Sequence, residues 1–117
     1  MNKYKSIKVW SELAQRTFDS KLECRRAEEL ILLEKAGEIE DLKFQVKFVL
    51  YEKPRITITI DFSYVEAGVF SEYKIPIKVL KYEDTKGVLT RDTRTKLAWL
   101  EEKHGVRVKL TRKDEVR

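Results

Sequence analysis

Two runs of alternating apolar residues near the middle of the chain most constrain what it can fold into. Apolar side chains occupy every second position from Leu42 to Leu50, and again from Ile56 to Phe62. This period of two is typical of β-strands that bury one face. Pro54 lies between the two runs and marks a turn, because proline interrupts a strand ladder. The sequence therefore predicts a β-hairpin at the centre of the fold.

Helical and strand patterns flank this hairpin on both sides. A helix is predicted from the segment Phe18-Asp19-Ser20 to about Ala36, with Gly37 as its stop. After the hairpin, a loop containing Gly68 and Pro76 leads to three further elements: a strand over residues 78–86 that is ended by Gly87, a helix over residues 91–104 that is stopped by Gly105, and a strand over residues 106–110.

The order of these elements, α-β-β-β-α-β, predicts one α/β domain over residues 18–117. A chain of 117 residues has the usual length of a single domain. Residues 1–17 precede the first helix and fit either an edge strand or a basic N-terminal arm, because lysines alternate there with apolar residues.

Charge is unevenly distributed along the chain, which carries 25 Lys and Arg against 20 Asp and Glu and a net charge of +5. Residues 1–27 and residues 91–117 each carry a net charge of +4, whereas residues 28–90 carry −3. Basic ends around an acidic middle suit a protein that grips a phosphate backbone and holds a divalent cation at its centre. An ordinary scatter of solvated charges gives the same pattern.

Rare residue types exclude several kinds of site. Cys24 is the one cysteine, which excludes an internal disulfide framework and a cysteine-based zinc site, and His104 is the one histidine, which excludes a multi-histidine metal site. No apolar run approaches the roughly 18 residues of a membrane span. We therefore expect a soluble, cytoplasmic protein with no membrane partner.

Acidic residues near the ends of two strands carry the candidate chemistry. Asp61 interrupts an apolar strand near its end, and Asp84 and Lys86 lie two residues apart at the end of the next strand. Because residues i and i+2 of a strand share a face, Asp84 and Lys86 are expected to project together, and Glu83 to point away. The carboxylate can bind a hard cation while the lysine holds a water. A surface ion pair would give the same pattern.

Glu23 lies on the predicted first helix, in the middle of its apolar stripe. At 100° per residue it falls between Ala27 and Leu30, so it is expected to face the core. An ionised carboxylate there is costly unless it is paired or bound to a metal. The alternative is a capping box in which Glu23 reaches back to the backbone at Ser20.

Together, a helix Glu, a strand Asp and a D-x-K strand end in this element order resemble the PD-(D/E)XK nuclease superfamily. More closely, three segments are similar to small phage endonuclease I-like Holliday junction resolvases. These segments are Phe18-Asp19-Ser20-Lys21-Leu22-Glu23, Ile60-Asp61-Phe62-Ser63-Tyr64 and Glu83-Asp84-Thr85-Lys86-Gly87. Ile60 replaces the proline that usually precedes the first Asp. The similarity covers residues from about Phe18 to Leu110.

This resemblance implies a restriction-endonuclease-like fold, with a central mixed sheet flanked by helices, and a metal-dependent endodeoxyribonuclease activity. It implies that Asp61, Asp84, Glu23 and the Thr85 carbonyl bind Mg²⁺, for which Mn²⁺ substitutes. Lys86 would orient the attacking water, so the implied catalytic residues are Glu23, Asp61, Asp84 and Lys86. No nucleotide cofactor is expected.

The implied substrate is branched DNA, such as a Holliday junction, cut by a homodimer in the cytoplasm of the host cell if a phage encodes the protein. Two alternatives remain at this stage: a less structure-selective phage nuclease or nickase in replication or packaging, and a non-catalytic nucleic-acid-binding module of the same fold. Basic residues near the candidate site are interpreted as DNA contacts: Lys21, Arg25, Arg26, Arg91, Arg94 and Lys96.

Overall fold

The computed structural model describes residues 7–86 and 89–112. Two helices and six strands lie within them, in the order β1 (Val9–Ser11), β2 (Arg16–Phe18), α1 (Lys21–Lys35), β3 (Ile39–Tyr51), β4 (Ile56–Phe70), β5 (Pro76–Thr85), α2 (Arg91–His104) and β6 (Val108–Thr111). The predicted α-β-β-β-α-β order is confirmed, and a short hairpin precedes it. Gly87, the predicted end of the third strand, lies outside the described residues.

The main sheet has four strands in the order β3-β4-β5-β6. The first three strands pair antiparallel, whereas β5 and β6 pair parallel, from Tyr82 with Val108 to Thr85 with Thr111. Parallel neighbours need a crossover connection, and α2 supplies it. The result is a mixed sheet in a small α/β domain, in agreement with the predicted fold class. Neither helix of the described residues has the length and hydropathy that a bilayer span requires.

Local sequence signals place the helix ends where the sequence predicts them. The Ser20 side chain caps α1 by accepting a hydrogen bond from the Glu23 amide at 3.1 Å, and Gly37 follows the helix with a φ of +81°. Gly105 ends α2 in the left-handed conformation, with a φ of 69°. Glycine adopts this conformation without the steric cost that a Cβ imposes.

Several predicted boundaries are wrong, among them the start of β3, which lies at Ile39 and not at Leu42. Strand β4 continues through Gly68 to Phe70, because Gly68 has a φ of +74° and takes up a register shift in the strand pairing between Glu66 and Val69. Pro76 begins β5 instead of lying in a loop, since the first position of a strand tolerates proline. The last strand runs from 108 to 111, two residues later than its predicted start.

The N-terminal segment contains a second, two-stranded sheet. In it β1 pairs antiparallel with β2, from Val9 with Phe18 to Ser11 with Arg16. The Ser11 hydroxyl donates a hydrogen bond to the Glu28 carboxylate of α1 at 2.6 Å, and the Phe18 ring is buried in the core. The described part of this segment thus forms strands, but in a sheet of its own and not at an edge of the main sheet. Residues 1–6 lie outside the described part.

Two clusters of buried apolar residues form the core, and they meet on β4. Phe62 belongs to the cluster beneath α1, which also contains Phe18, Cys24, Ala27, Leu30, Ile39 and Tyr64. Ile60 belongs to the cluster beneath α2, which also contains Leu50, Leu100 and Val106. Asp61 lies between Ile60 and Phe62, so it occupies the boundary between the two clusters.

A buried polar network ties α1 to the sheet. Glu83 of β5 is fully buried and accepts four hydrogen bonds: two from the Arg26 guanidinium at 2.6 and 3.0 Å, one from the Tyr64 hydroxyl at 2.7 Å and one from the Thr111 hydroxyl at 2.7 Å. Burial alone would raise the pKa of Glu83, but these hydrogen bonds outweigh it and lower the pKa below its usual value. The charge on Glu83 is therefore fully compensated, and α1, β4, β5 and β6 meet at this residue.

Removing the guanidinium should strongly destabilise the protein. We expect Arg26→Met to lower the free energy of unfolding at pH 7 by about 3 to 5 kcal/mol, because it leaves a buried carboxylate without its counter-charge. Arg25→Met is the matched control: Arg25 is the next residue of α1 and is exposed, so its replacement should change stability by less than about 0.5 kcal/mol. Urea unfolding measures both, and equal effects would contradict the assignment.

Candidate functional site

The candidate site lies where β4 and β5 separate. Their antiparallel pairing ends at Phe62 with Glu83. Beyond that pair the two strands are joined by side chains: the Asp61 amide donates to Oδ1 of Asp84 at 2.9 Å, and Oδ2 of Asp61 accepts from the Thr85 amide at 2.9 Å and the Thr85 hydroxyl at 2.8 Å. Each aspartate carboxylate thus accepts a hydrogen bond from a backbone amide of the opposite strand, in place of a backbone carbonyl. This exchange fixes both carboxylates at the opening between the strands.

Lys86 follows β5, and its side chain turns back toward the Asp84 carboxylate. Its Nζ lies 2.7 Å from Oδ2 of Asp84. Asp84 and Lys86 therefore project together, as the D-x-K spacing predicts. The Asp84 side chain is 2% exposed and that of Lys86 is 29% exposed, so the ammonium group forms the solvent-facing side of the pair. An ammonium group has three N–H donors, and the bond to Asp84 leaves the others for water or a phosphate.

Glu23 of α1 faces the interior, as the helical periodicity predicts, and is 5% exposed. Its backbone amide is capped by the Ser20 side chain, and Oε2 of its carboxylate accepts a hydrogen bond from Nε2 of Gln45 at 2.9 Å. A hydrogen bond from the Asp19 backbone also lowers the pKa of this carboxylate, so Glu23 reaches back to the start of the helix as the capping alternative predicts. Gln45 has a φ of 55° and lies opposite Asp61, because the neighbouring positions of β3 and β4 pair with each other. Glu23 therefore contributes to the start of α1 and also places its carboxylate beside the site.

The three carboxylates act on one another electrostatically. Burial raises the pKa of Asp61, and the negative charges of Asp84 and Glu23 raise it further, to about 7, against the lowering effect of the hydrogen bonds from Thr85. Burial likewise raises the pKa of Glu23, followed by the charges of Asp19 and Asp84. Excess negative charge at a partly buried point is typical of a site that receives a cation or a proton.

The chemistry of the donors fits a hard divalent cation. Mg²⁺ prefers carboxylate and carbonyl oxygens and usually keeps several of its waters. Oδ1 of Asp61 makes no hydrogen bond to the described part of the protein, so Asp61 has an oxygen available. Within residues 7–86 and 89–112, no three or more His, Cys, Asp and Glu side chains converge closely enough to hold a metal ion directly. Asp61 and Asp84 remain the candidate direct ligands, with Glu23 as a candidate that acts directly or through a water.

The six basic residues interpreted as DNA contacts fall into two groups. Those that are exposed are Lys21, Arg25, Arg91 and Arg94. The other two are half-buried and already paired. Arg26 binds Glu83 and also Glu29 at 2.8 Å, and Lys96 lies 3.6 Å from Asp92. The contacts of Arg26 favour a structural role over a DNA contact, so we exclude it from the proposed DNA surface.

Two residues near the site were missed by the sequence analysis. Gln45 sits in an alternating strand pattern, where a glutamine reads as an ordinary solvent-facing residue, and nothing in the sequence indicates its left-handed backbone. Arg16 lies in the segment that the resemblance does not cover, yet its positive charge acts on Glu23. The alternation of lysines with apolar residues in this segment was the one signal that could have indicated a strand here.

Comparison with known proteins gives one match. A family model described as "Protein of unknown function (DUF1064)" matches residues 1–114. No curated protein and no solved structure matches the chain.

The raised pKa of Asp61 predicts that stability falls as pH increases. An unfolded aspartate releases its proton near pH 3.8 and folded Asp61 near pH 7, so between these values the folded state binds more protons and is progressively destabilised as pH rises. Asp61→Asn keeps an oxygen that accepts from Thr85 but cannot ionise. It should therefore be more stable than wild type at pH 8, on the order of 2 kcal/mol, with the difference vanishing near pH 4.

Urea unfolding in EDTA at five pH values between 4 and 8 measures this difference. Asp41→Asn is the matched control, because Asp41 is exposed on β3 and already has a left-handed φ of 54°, which asparagine tolerates. The interpretation fails if wild type and Asp61→Asn have stability curves that run parallel across this range.

Proposed function

The chain belongs to the DUF1064 family, and we propose that it is a metal-dependent DNA endonuclease that hydrolyses phosphodiester bonds, acting on branched DNA. One observation carries the proposal: Asp61, Asp84 and Lys86 are held together by hydrogen bonds at the opening between two strands, next to the buried carboxylate of Glu23. The arrangement has the residue types and the order that resemble the PD-(D/E)XK superfamily. The basic ends of the chain support a polyanionic substrate.

In the proposed reaction, a water oxygen forms a bond to the phosphorus and the bond from phosphorus to one bridging ester oxygen breaks. The products are a terminal phosphate and a free hydroxyl, and the proton lost by the water reaches solvent or the departing oxygen. Asp61 and Asp84 would hold Mg²⁺, and Glu23 would hold one of the metal's waters. When bound, Mg²⁺ polarises the phosphate and lowers the pKa of coordinated water.

Lys86 has the central role among the residues of the chain itself. Its ammonium is anchored to Asp84 at 2.7 Å, and its remaining N–H groups can orient the attacking water and offset the negative charge that develops on the phosphate. The Thr85 side chain and amide hold Asp61 in place, so Thr85 positions the metal-binding carboxylate. Its backbone carbonyl is a further proposed ligand.

Exposed basic residues would bind the DNA on either side of the bond that is cut. Lys21 and Arg25 on α1, and Arg91 and Arg94 at the start of α2, would contact the DNA backbone. The threonine-capped N-terminus of α2 adds free amides that suit a phosphate. Paired cuts in a four-way junction require two sites related by a twofold axis, so a homodimer is part of the proposal. Three exposed aromatic residues are candidates for its interface: Trp10, Phe70 and Tyr73.

Cleavage assays test the proposal directly. With Mg²⁺, wild type should cut DNA, and EDTA should abolish the cutting. We expect Asp84→Asn and Lys86→Ala each to reduce the cleavage rate at least ~100-fold while DNA binding is retained, because they remove metal binding and charge stabilisation, not the contacts to the backbone. Asp41→Asn and Lys47→Ala are matched controls, since both residues are exposed on β3.

The substrates are a four-way junction, a replication fork, linear duplex and single strand of the same sequences. Paired symmetrical nicks on the junction alone would identify a resolvase, and equal cutting of all four would identify a nuclease without structural selectivity. Tight DNA binding with no cutting in Mg²⁺ or Mn²⁺ would overturn the enzymatic proposal in favour of a non-catalytic binding module. Full activity of Asp84→Asn would refute the site.

A further inference from the structure

Arg16 is an arginine near the acidic residues of the candidate site. It begins β2, and its guanidinium lies over the Phe44 ring at 4.9 Å from the centroid and 5.6 Å from the Phe18 centroid. The structure records no ion pair for it within the described part of the chain. A guanidinium held on aromatic rings keeps its N–H donors in the plane available.

The position of Arg16 links it to the carboxylates. Phe44, which carries the guanidinium, directly precedes Gln45, and Gln45 donates its hydrogen bond to Glu23. Burial and the nearby acids raise the pKa of Glu23, and the positive charge of Arg16 opposes that rise. Arg16 and Glu23 are therefore close enough to interact, although their side chains are not paired.

The hairpin that carries Arg16 is fixed to the domain. The Ser11 hydroxyl donates to the Glu28 carboxylate of α1, and the Ala14 amide donates to the Ser11 oxygen at 3.1 Å. Phe18, two residues after Arg16, is 2% exposed. These contacts hold the first residue of β2 in one place relative to α1 and therefore relative to Glu23.

We propose that Arg16 is a phosphate-contacting residue of the site, and that the β1–β2 hairpin forms one wall of the DNA-binding cleft. This inference rests on the proposed nuclease function. The planar guanidinium presents paired donors that match two phosphate oxygens, and a contact of this kind is stronger than the contact with an aromatic ring. A DNA phosphate that enters the site gives Arg16 an ion pair, which it does not have with any of residues 7–86 and 89–112.

Two substitutions of Arg16 separate charge from packing. Arg16→Met keeps an apolar side chain against Phe44, because methionine packs well on aromatic rings, but it has no charge. Arg16→Lys keeps the charge. The matched control is Arg55→Met, because Arg55 lies in the β3–β4 turn, with an exposed side chain that is 3.7 Å from Glu52.

We expect Arg16→Met to lower kcat/KM for DNA cleavage at least about tenfold, with Arg16→Lys recovering part of the loss and Arg55→Met cutting like wild type. The Tm of Arg16→Met should stay within a few degrees of wild type. If wild type cuts DNA and Arg16→Met retains its kcat and KM, the role of Arg16 is overturned while the nuclease function stands. An equal loss in Arg16→Met and Arg16→Lys that follows a fall in Tm would assign a structural role and also overturn it.

If the wild-type protein cuts no DNA, binding of duplex DNA tests whether Arg16 contacts a phosphate. In that case the nuclease proposal has failed, and binding is measured against salt concentration. A phosphate contact predicts that Arg16→Met binds more weakly than Arg55→Met, with a salt dependence reduced by about one counterion. Identical affinities and slopes for the two variants would overturn the contact as well.

Discussion

The exchange of hydrogen bonds between Asp61 and Asp84 is the constraint on which the rest of the site depends. Two antiparallel strands that diverge leave backbone amides without partners, and unpaired buried amides are costly. Here each aspartate accepts an amide from the opposite strand, Asp84 from Asp61 and Asp61 from Thr85. The bonds that hold the strands together thus also fix two carboxylates side by side, which neither residue would favour on electrostatic grounds alone.

The core and the polar network support this arrangement from both sides. Asp61 lies between the two apolar clusters, so its strand is held by packing before and after it. Glu83, next to Asp84, is paired with the charge of Arg26 and accepts hydrogen bonds from two hydroxyl groups. Glu83 is paired with Arg26 and Asp84 with Lys86, whereas Asp61 and Glu23 have no ion pair within the described residues and their pKa values are raised. Glu83 therefore has a structural role, whereas the neighbouring acids Asp61, Asp84 and Glu23 are the candidates for chemistry.

Local signals in the sequence were enough to predict much of the fold. The caps at Ser20 and Gly105, the central hairpin and the projection of Asp84 with Lys86 depend on near neighbours, and these predictions are confirmed. Features that depend on distant contacts could not be read in this way. The partner of Arg26 is 57 residues away, and no local signal indicates the left-handed backbone of Gln45. Arg16 is far from Asp84 in sequence and comes near Glu23 because the hairpin that carries it packs on α1.

A crystal structure of the protein soaked in Mn²⁺, with anomalous diffraction data, would show whether the two aspartates bind a metal. We expect an anomalous peak within bonding distance of carboxylate oxygens of both Asp61 and Asp84, about 2.0 to 2.3 Å away as for hard divalent cations. A water between that peak and Glu23 would complete the predicted coordination. A fully occupied manganese site elsewhere, with the Lys86–Asp84 ion pair unchanged and no peak at Asp61, would contradict it.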